Sequence, residues 1–339
     1  MVNIDMIKEL TLLSGVSGNE HDVRDYIIGK IQGKCEYTVD PLGNILAFKK
    51  GKKDSEKRIM FSAHMDEVGF LITYIEDSGL LKFTNVGGID SRVVIGKTVR
   101  VNGLYGVIGT KAVHMQTEDE REKPVKMDNL YIDIGAKTKE EAMEKVCVGD
   151  RATFESDFFE FGASQIKGKA LDDRIGCYML IEMINSDLEY DTHFAFTVNE
   201  ETGMQGAASA AYTVAPDISV VLEATTAADI PDIPPHKTVC GFKKGGVLSF
   251  MDRATVYDFD LYKFALNLAK ENSIPCQSKE GVFGGNEARC IQTTRGGVKV
   301  LALSLPCRYL HSPSCVLDKE DIENTLKLAK LLANELQSF

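Results

Sequence analysis

The hydrophobic positions change rhythm along the chain. Apolar residues recur at helical spacing over residues 3–14, and the run Gly15-Val16-Ser17-Gly18-Asn19-Glu20 breaks the pattern. Ser17 or Asn19 is placed to cap a second helix reaching about Ile31. Residues 37–40 and 44–48 alternate about Pro41-Leu42-Gly43 and predict a hairpin. Residues 58–63 then form a short apolar strand that stops at His64-Met65-Asp66-Glu67. From about Phe70 to Phe161 helical spacing is scarce, apart from a short stretch near 139–145. Strand-like runs at 71–75, 99–101, 105–109 and 131–135 alternate there with glycine and charged turns. His114 sits in a polar loop of this region and reads as surface. Beyond Lys169 strands and helices alternate again. Asp172-Asp173 opens a helical pattern, and apolar strands cover 193–198, 218–222 and 298–303. Helices are expected over 257–270 and after Asp318, the last with Ile322, Leu326, Ala329 and Leu332 on one stripe. The texture predicts an α/β domain, residues 1–69 and 162–339, interrupted by a small β-rich domain, residues 70–161.

Four of the apolar strands run into residue types that bind metals, at or just beyond their C-terminal ends: His64, Glu201, Glu223 and His311. In open α/β sheets that is where the binding crevice lies, so residues distant in sequence can meet there. Asp172 or Asp173 adds a carboxylate at a helix start, one of the pair as ligand and the other as cap or support. Two imidazoles and three carboxylates suit a pair of divalent ions such as Zn²⁺ or Co²⁺. His64 and Asp66, two apart on an extended chain, share a face, which lets Asp66 support the second ring nitrogen of His64. Glu200 and Glu201 follow a strand directly. For both to reach one site the backbone must turn, with Gly203 and Gly206 supplying freedom; one acid then holds metal while the other moves a proton. The plainer alternative for this pair is a solvated loop.

Composition narrows the partners. The 339 residues carry 50 acidic and 39 basic side chains, a net charge of −11, with no long basic cluster. Nucleic acid and anionic membrane surfaces are therefore disfavoured as main partners. No basic leader precedes an apolar run at the N-terminus. The eight cysteines form no Cys-x-x-Cys pair and mostly lie in apolar segments, which fits reduced thiols in a cytoplasmic protein rather than a disulfide or zinc framework.

The motifs carry a resemblance. Residues 64–70 (HMDEVGF), 170–177 (ALDDRIGC), 199–203 (NEETG) and 308–313 (RYLHSP), with 133–137 and 148–150 in the β-rich part, are similar in order and type to the M42 metallo-aminopeptidases. These are the glutamyl aminopeptidase and TET peptidase relatives. The resemblance implies a mixed-sheet di-metal peptidase domain with helices on both faces, interrupted by a PDZ-like dimerisation domain. It implies two divalent ions per subunit, zinc or cobalt. His64 and Glu223 would hold one, Glu201 and His311 the other, and Asp172 would bridge them. Glu200 would be the general base, and Asp66 would orient His64. The substrates would be short peptides with a free N-terminus, and the subunits a homo-oligomer, from dimers to a dodecamer. A deacylase or carboxypeptidase on the same scaffold is the rival, and an endo-β-glucanase a more distant one. The chain departs from the family pattern in two places. Glu223 stands where aspartate is common, and 284–288 reads Gly-Gly-Asn-Glu-Ala rather than Gly-Gly-Thr-Asp-Ala. Lys243, Lys244 and Arg289 fall near segments expected on the substrate side, where they would favour an acidic first residue; the plainer alternative is that all three are solvated surface charges.

Overall fold

The computed structural model describes residues 2–339. Helices α1 (Ile4–Leu12) and α2 (His21–Ile31) come first. Asn3 caps α1 by accepting from the Met6 N–H. Neither Ser17 nor Asn19 caps α2, which starts after Glu20 without a side-chain cap; Ser17 instead donates its hydroxyl to Asp66 at 2.6 Å. The hairpin β1 (Glu36–Val39) and β2 (Ile45–Lys49) follows, then β3 (Ile59–His64).

Six strands next close into a barrel: β4 (Gly69–Ile75), β5 (Leu81–Val86), β6 (Thr98–Val101), β7 (Leu104–Gly109), β8 (Tyr131–Asp133) and β9 (Arg151–Phe154). Their inward residues, among them Phe70, Leu81, Val99, Ile132 and Phe154, form a core separate from the main one. Short helices α3 (Glu118–Glu122) and α4 (Lys139–Met143) belong to this segment, and His114 is exposed. β10 (Phe159–Phe161) and β11 (Gln165–Gly168) lead back to the main sheet.

The remaining elements are α5 (Leu171–Ile184), β12 (Thr192–Thr197), α6 (Gln205–Val214), β13 (Ile218–Thr226), β14 (Gly246–Leu248), α7 (Phe259–Glu271), β15 (Cys276–Ser278), α8 (Ala288–Gln292), β16 (Lys299–Cys307), β17 (Cys315–Asp318) and α9 (Lys319–Glu335). The main sheet is mixed and runs β1-β2-β12-β3-β13-β16-β14-β15. Its four middle strands are mutually parallel. Side chains alternate across it: Ile59 and Phe61 join the core under α1, α2, α5, α7 and α9, while Met60 joins the one under α6 and α8. Helix α5 is buried almost throughout, as an apolar helix at the centre of a layered fold must be. Asp318 caps α9 by accepting from the Glu320 N–H at 2.9 Å. Of the expected α9 stripe, Leu326 is half-buried, and Leu328 takes the core position. Among the described residues the cysteines are all free, four of them buried and Cys147 exposed, and no helix is long and apolar enough to cross a membrane.

A buried charge network sits behind the end of β3. The Lys169 ammonium donates to both Glu67 oxygens, at 2.7 and 2.9 Å, and to the Leu13 carbonyl and the Thr153 hydroxyl. The Arg174 guanidinium donates to the carbonyls of Met65 and Leu10. Glu67 also accepts from the Gly15 N–H. The network therefore joins α1, β3, β9 and α5 around one carboxylate. Removing that carboxylate leaves two buried cations short of a partner, which typically costs about 3–5 kcal/mol. Glu67→Ala is therefore expected to lower the urea unfolding free energy by about that much. A loss under about 1 kcal/mol, the scale of a surface pair, would contradict this reading.

Candidate active site

β3 and β12 stop in register, His64 opposite Thr197. β13 and β16 continue past that level and keep pairing through Thr226 and Cys307. The sheet thus has a step, and the site sits on it. Glu223 lies inside β13, paired with Ser304, and not at a strand end as the apolar run suggested. The strand goes on because three further rungs, Ala224 to Thr226, pair with β16.

The acidic pair after β12 is set by backbone hydrogen bonds. Asn199 takes a left-handed φ of 56°, and the next two N–H groups, of Glu200 and Glu201, donate to the two Asp66 carboxylate oxygens at 3.0 and 3.1 Å. Gly203, at φ 130°, supplies freedom later in the turn. Gly206 serves differently: a Cβ there would stand 2.2 Å from the Val198 carbonyl oxygen. Fully buried Asp66 thus holds both glutamates.

His64 Nδ1 lies 3.0 Å from the backbone carbonyl of Asp66 and 3.4 Å from its carboxylate. His311 Nδ1 lies 2.7 Å from the Gly88 carbonyl. A carbonyl only accepts, so each Nδ1 must donate, and each Nε2 is turned to the site. His64 Nε2 is 3.3 Å from Asp172 Oδ1 and 3.5 Å from Glu223. His311 Nε2 is 3.2 Å from Asp172 Oδ2 and 3.4 Å from Glu201. The two imidazoles thus face the two oxygens of one aspartate. Glu223, longer than aspartate, still reaches.

Asp173 plays another part. Its oxygens accept from the N–H groups of Gly176 (3.0 Å) and His64 (3.3 Å), so it is satisfied by the chain although it lies within reach of His64 and Glu223. The Asp172–Asp173 peptide bond is cis.

The donor set fits divalent metal. Asp172 Oδ1 and Glu201 Oε1 are buried without a hydrogen-bond partner. Donors about 2.0–2.2 Å from a tetrahedral ion stand about 3.3–3.6 Å apart, and the four nitrogen–oxygen separations fall at or beside that span.

Without metal the site gathers protons. Burial, reinforced by Glu201, Asp66 and Asp172 against the His64 charge, lifts Glu200 to about 8. Burial and Asp172, against the charge of His311, lift Glu201 to about 8. Burial also raises Glu223. For His311 burial acts downward, but the nearby Asp172 and Glu201 carboxylates lift it to about 10. Burial would raise Asp172, yet the close approach of the His311 and His64 rings and their charge hold it below the usual carboxylate range.

The cavity over these residues measures about 630 Å³ and is also lined by Thr225, Val239, Lys279, Phe283 and Asn286. Glu287 is not part of the wall; it is fully buried and accepts from the Thr197 hydroxyl at 2.6 Å. Lys243, Lys244 and Arg289 are exposed and outside the lining, and Lys243 leans towards Glu320. Sequence reasoning missed Lys279, Ser17 and the Gly88 carbonyl. A backbone acceptor carries no sequence signal, and the lysine directly follows an edge strand too short to be read.

A family model described as M42 glutamyl aminopeptidase matches residues 43–328. Among curated relatives, a putative aminopeptidase of Acetivibrio thermocellus is 39% identical, over 96% of each chain. The lysyl aminopeptidase of Pyrococcus furiosus is 32% identical over 99% of this chain and 98% of its own. The Pyrococcus horikoshii TET1 peptidase, which can assemble into a tetrahedron or a large octahedral shell, superposes with a TM-score of 0.88 at 36% identity, covering 98% and 99% of the two chains. A Thermotoga maritima structure named as an endoglucanase gives 0.81 at 38%, over 98% and 97%.

The raised carboxyls set a pH signature. Glu200 and Glu201 stay protonated in the folded metal-free protein between their ordinary value of 4.5 and about 8, where the unfolded chain is ionised. Their stabilisation is full below pH 4.5 and is lost as pH rises through about 8. Asp172, held low, acts in the opposite sense only below its ordinary 3.8. The melting temperature in EDTA should therefore fall across this window, and added Zn²⁺ should reverse the fall increasingly at higher pH as metal replaces protons. Parallel pH profiles with and without metal would contradict the assignment.

Proposed function

The chain belongs to the M42 glutamyl aminopeptidase family, a family of peptide hydrolases, and on that premise we propose that this cavity removes N-terminal residues from peptides with the help of two divalent ions. The observation that carries the reading is the pair of imidazole Nε2 atoms facing the two oxygens of Asp172. In this reading His64 and Glu223 would hold one ion, Glu201 and His311 would hold the other, and Asp172 would contribute to both. The mixed nitrogen and oxygen set favours Zn²⁺ or Co²⁺. Bound ions supply Lewis acidity, which acidifies water and polarises the scissile carbonyl. Glu200 takes the proton from the attacking water and returns it to the leaving amine. Asp66, through the N–H groups of Glu200 and Glu201, keeps base and ligand at a fixed spacing. Carboxylates on the cavity wall attract the α-ammonium of the substrate.

The kinship also supports a division into catalytic parts 1–69 and 162–339 around a PDZ-like dimerisation domain, 70–161, and a homo-oligomeric assembly. A glycosidase reading leaves His64 and His311 without a task, since that chemistry needs only two carboxylates.

Glu200→Gln should lower kcat about 10²–10⁴-fold, the usual worth of a general base, with metal content unchanged. Glu201→Gln should instead weaken metal binding and be partly rescued by excess Zn²⁺. Acetylating the substrate amine should abolish cleavage, and β-glucan should release no reducing sugar. Near-normal turnover by Glu200→Gln, or equal rates on blocked and free peptides, would refute the proposal.

A further inference from the structure

His311 is delivered by a loop that leaves β16 after Cys307 and rejoins the fold at β17. Two backbone hydrogen bonds between Arg308 and Val316, 3.1 and 3.0 Å long, close its base. Inside the loop Tyr309 and His311 both hold a left-handed φ, 60° and 56°. Residues other than glycine stay in that region only where their surroundings over-determine it. The Gly88 carbonyl fixes the His311 ring through Nδ1, and the Ser312 hydroxyl donates to the Tyr309 carbonyl at 2.6 Å. Neither contact sets the direction in which the backbone leaves the sheet.

The Arg308 side chain supplies that direction. Its Nε and Nη2 donate to the two carboxylate oxygens of Asp229, at 2.7 and 2.8 Å. Its guanidinium also lies over the Phe242 ring, 4.1 Å from the centroid. Asp229 belongs to the loop after β13 and is anchored in turn. Its Oδ2 accepts from the Phe242 N–H at 3.0 Å. Two residues earlier, the Ala227 N–H donates at 2.8 Å to the carbonyl of Cys307, the residue before Arg308. The first side chain of the His311 loop is thus clamped on one edge and one face by the neighbouring loop. A two-point arginine–carboxylate contact fixes orientation as well as distance, which a lysine's point charge does not. Stability does not account for the pair. Its side chains keep 29% and 19% of their exposure, and ion pairs that remain wet contribute little to folding. Neither residue lines the cavity.

We propose that Asp229, acting through Arg308, is a positioning residue for His311. It fixes the backbone from which the imidazole faces Asp172 and Glu201, and so sets the affinity for an ion on the His311 side. This rests on the two-ion reading and deepens it.

The test uses the metal-free full chain, its Asp229→Asn and Arg308→Lys variants, and His311→Ala as the reference for losing that ion. Each is titrated with Zn²⁺ by calorimetry, with elemental analysis of the product. Asp229→Asn should weaken one of the two ions about ten- to hundredfold, the usual effect of a residue that orients a ligand, and leave the other unchanged. Arg308→Lys, which keeps the charge and loses the fork, should do the same. Asp229→Asn added to His311→Ala should weaken nothing further. The metal-free melting temperature should stay near wild type, because the pair is part-exposed. Amide hydrogen exchange of the metal-free variant should quicken over residues 309–314. Unchanged Zn²⁺ affinity, or equal weakening of both ions, would overturn the assignment. If wild type takes up no second ion, the two-ion reading falls by itself, and hydrogen exchange decides Asp229: unchanged exchange over 309–314 would overturn its role.

Discussion

Too much negative charge in too little water is the constraint on which this structure turns. Asp66, Asp172, Asp173, Glu200, Glu201, Glu223 and Glu287 crowd about the ends of β3 and β12, with two imidazoles among them. Like charges at low dielectric repel strongly, so each acid needs donors, a proton or a cation. The chain treats the acids unequally. Asp66 receives the Glu200 and Glu201 N–H groups and the Ser17 hydroxyl. Asp173 receives two further N–H groups, and Glu287 the Thr197 hydroxyl. Asp172 and Glu201 each keep a buried oxygen that nothing in the chain satisfies. This difference separates acids that build the site from acids left to bind something positive.

The scaffold makes that inequality rigid. A step in the sheet brings the end of β3 and the middle of β13 to one level, and Asp66 ties the turn after β12 to the end of β3. His311 sits on a loop beyond β16 in a left-handed conformation, φ 56°, which is uncommon for a non-glycine residue and marks a position held by its surroundings. What holds it is the Gly88 carbonyl, from the segment carrying the barrel. The barrel therefore touches the chemistry: it orients one of the two imidazoles. Behind β3, the network of Glu67, Lys169 and Arg174 ties the last barrel strand to α1 and α5.

Much of this was legible in the chain because apolar runs end abruptly at His64 and just before Glu200, and because the hairpin and α9 carry clear turn and cap residues. The five expected ligand residues meet, since ends of parallel strands share one edge of the sheet. What was not legible depends on tertiary contacts. Glu223 reads as a strand end because the apolar run weakens there, while pairing with β16 carries the strand on. The aspartate pair was ambiguous because only the N–H groups of Gly176 and His64 single out Asp173. β14, β15 and α8 are too short for periodicity to register. Lys243, Lys244 and Arg289 drew attention by position along the chain, whereas burial against β14 and β15 puts Lys279 at the cavity. The link from His64 to Asp66 is shared with a backbone carbonyl, which no spacing of side chains announces.

We propose that two ions complete this acidic site and that its activity needs them. Titration of the metal-free chain with Zn²⁺ or Co²⁺, following bound metal by elemental analysis and release of free amino acid from a peptide in the same samples, tests it most directly. Saturation at two ions per chain is expected, with activity appearing only as they bind. Full activity in a chain that retains no divalent metal would contradict it.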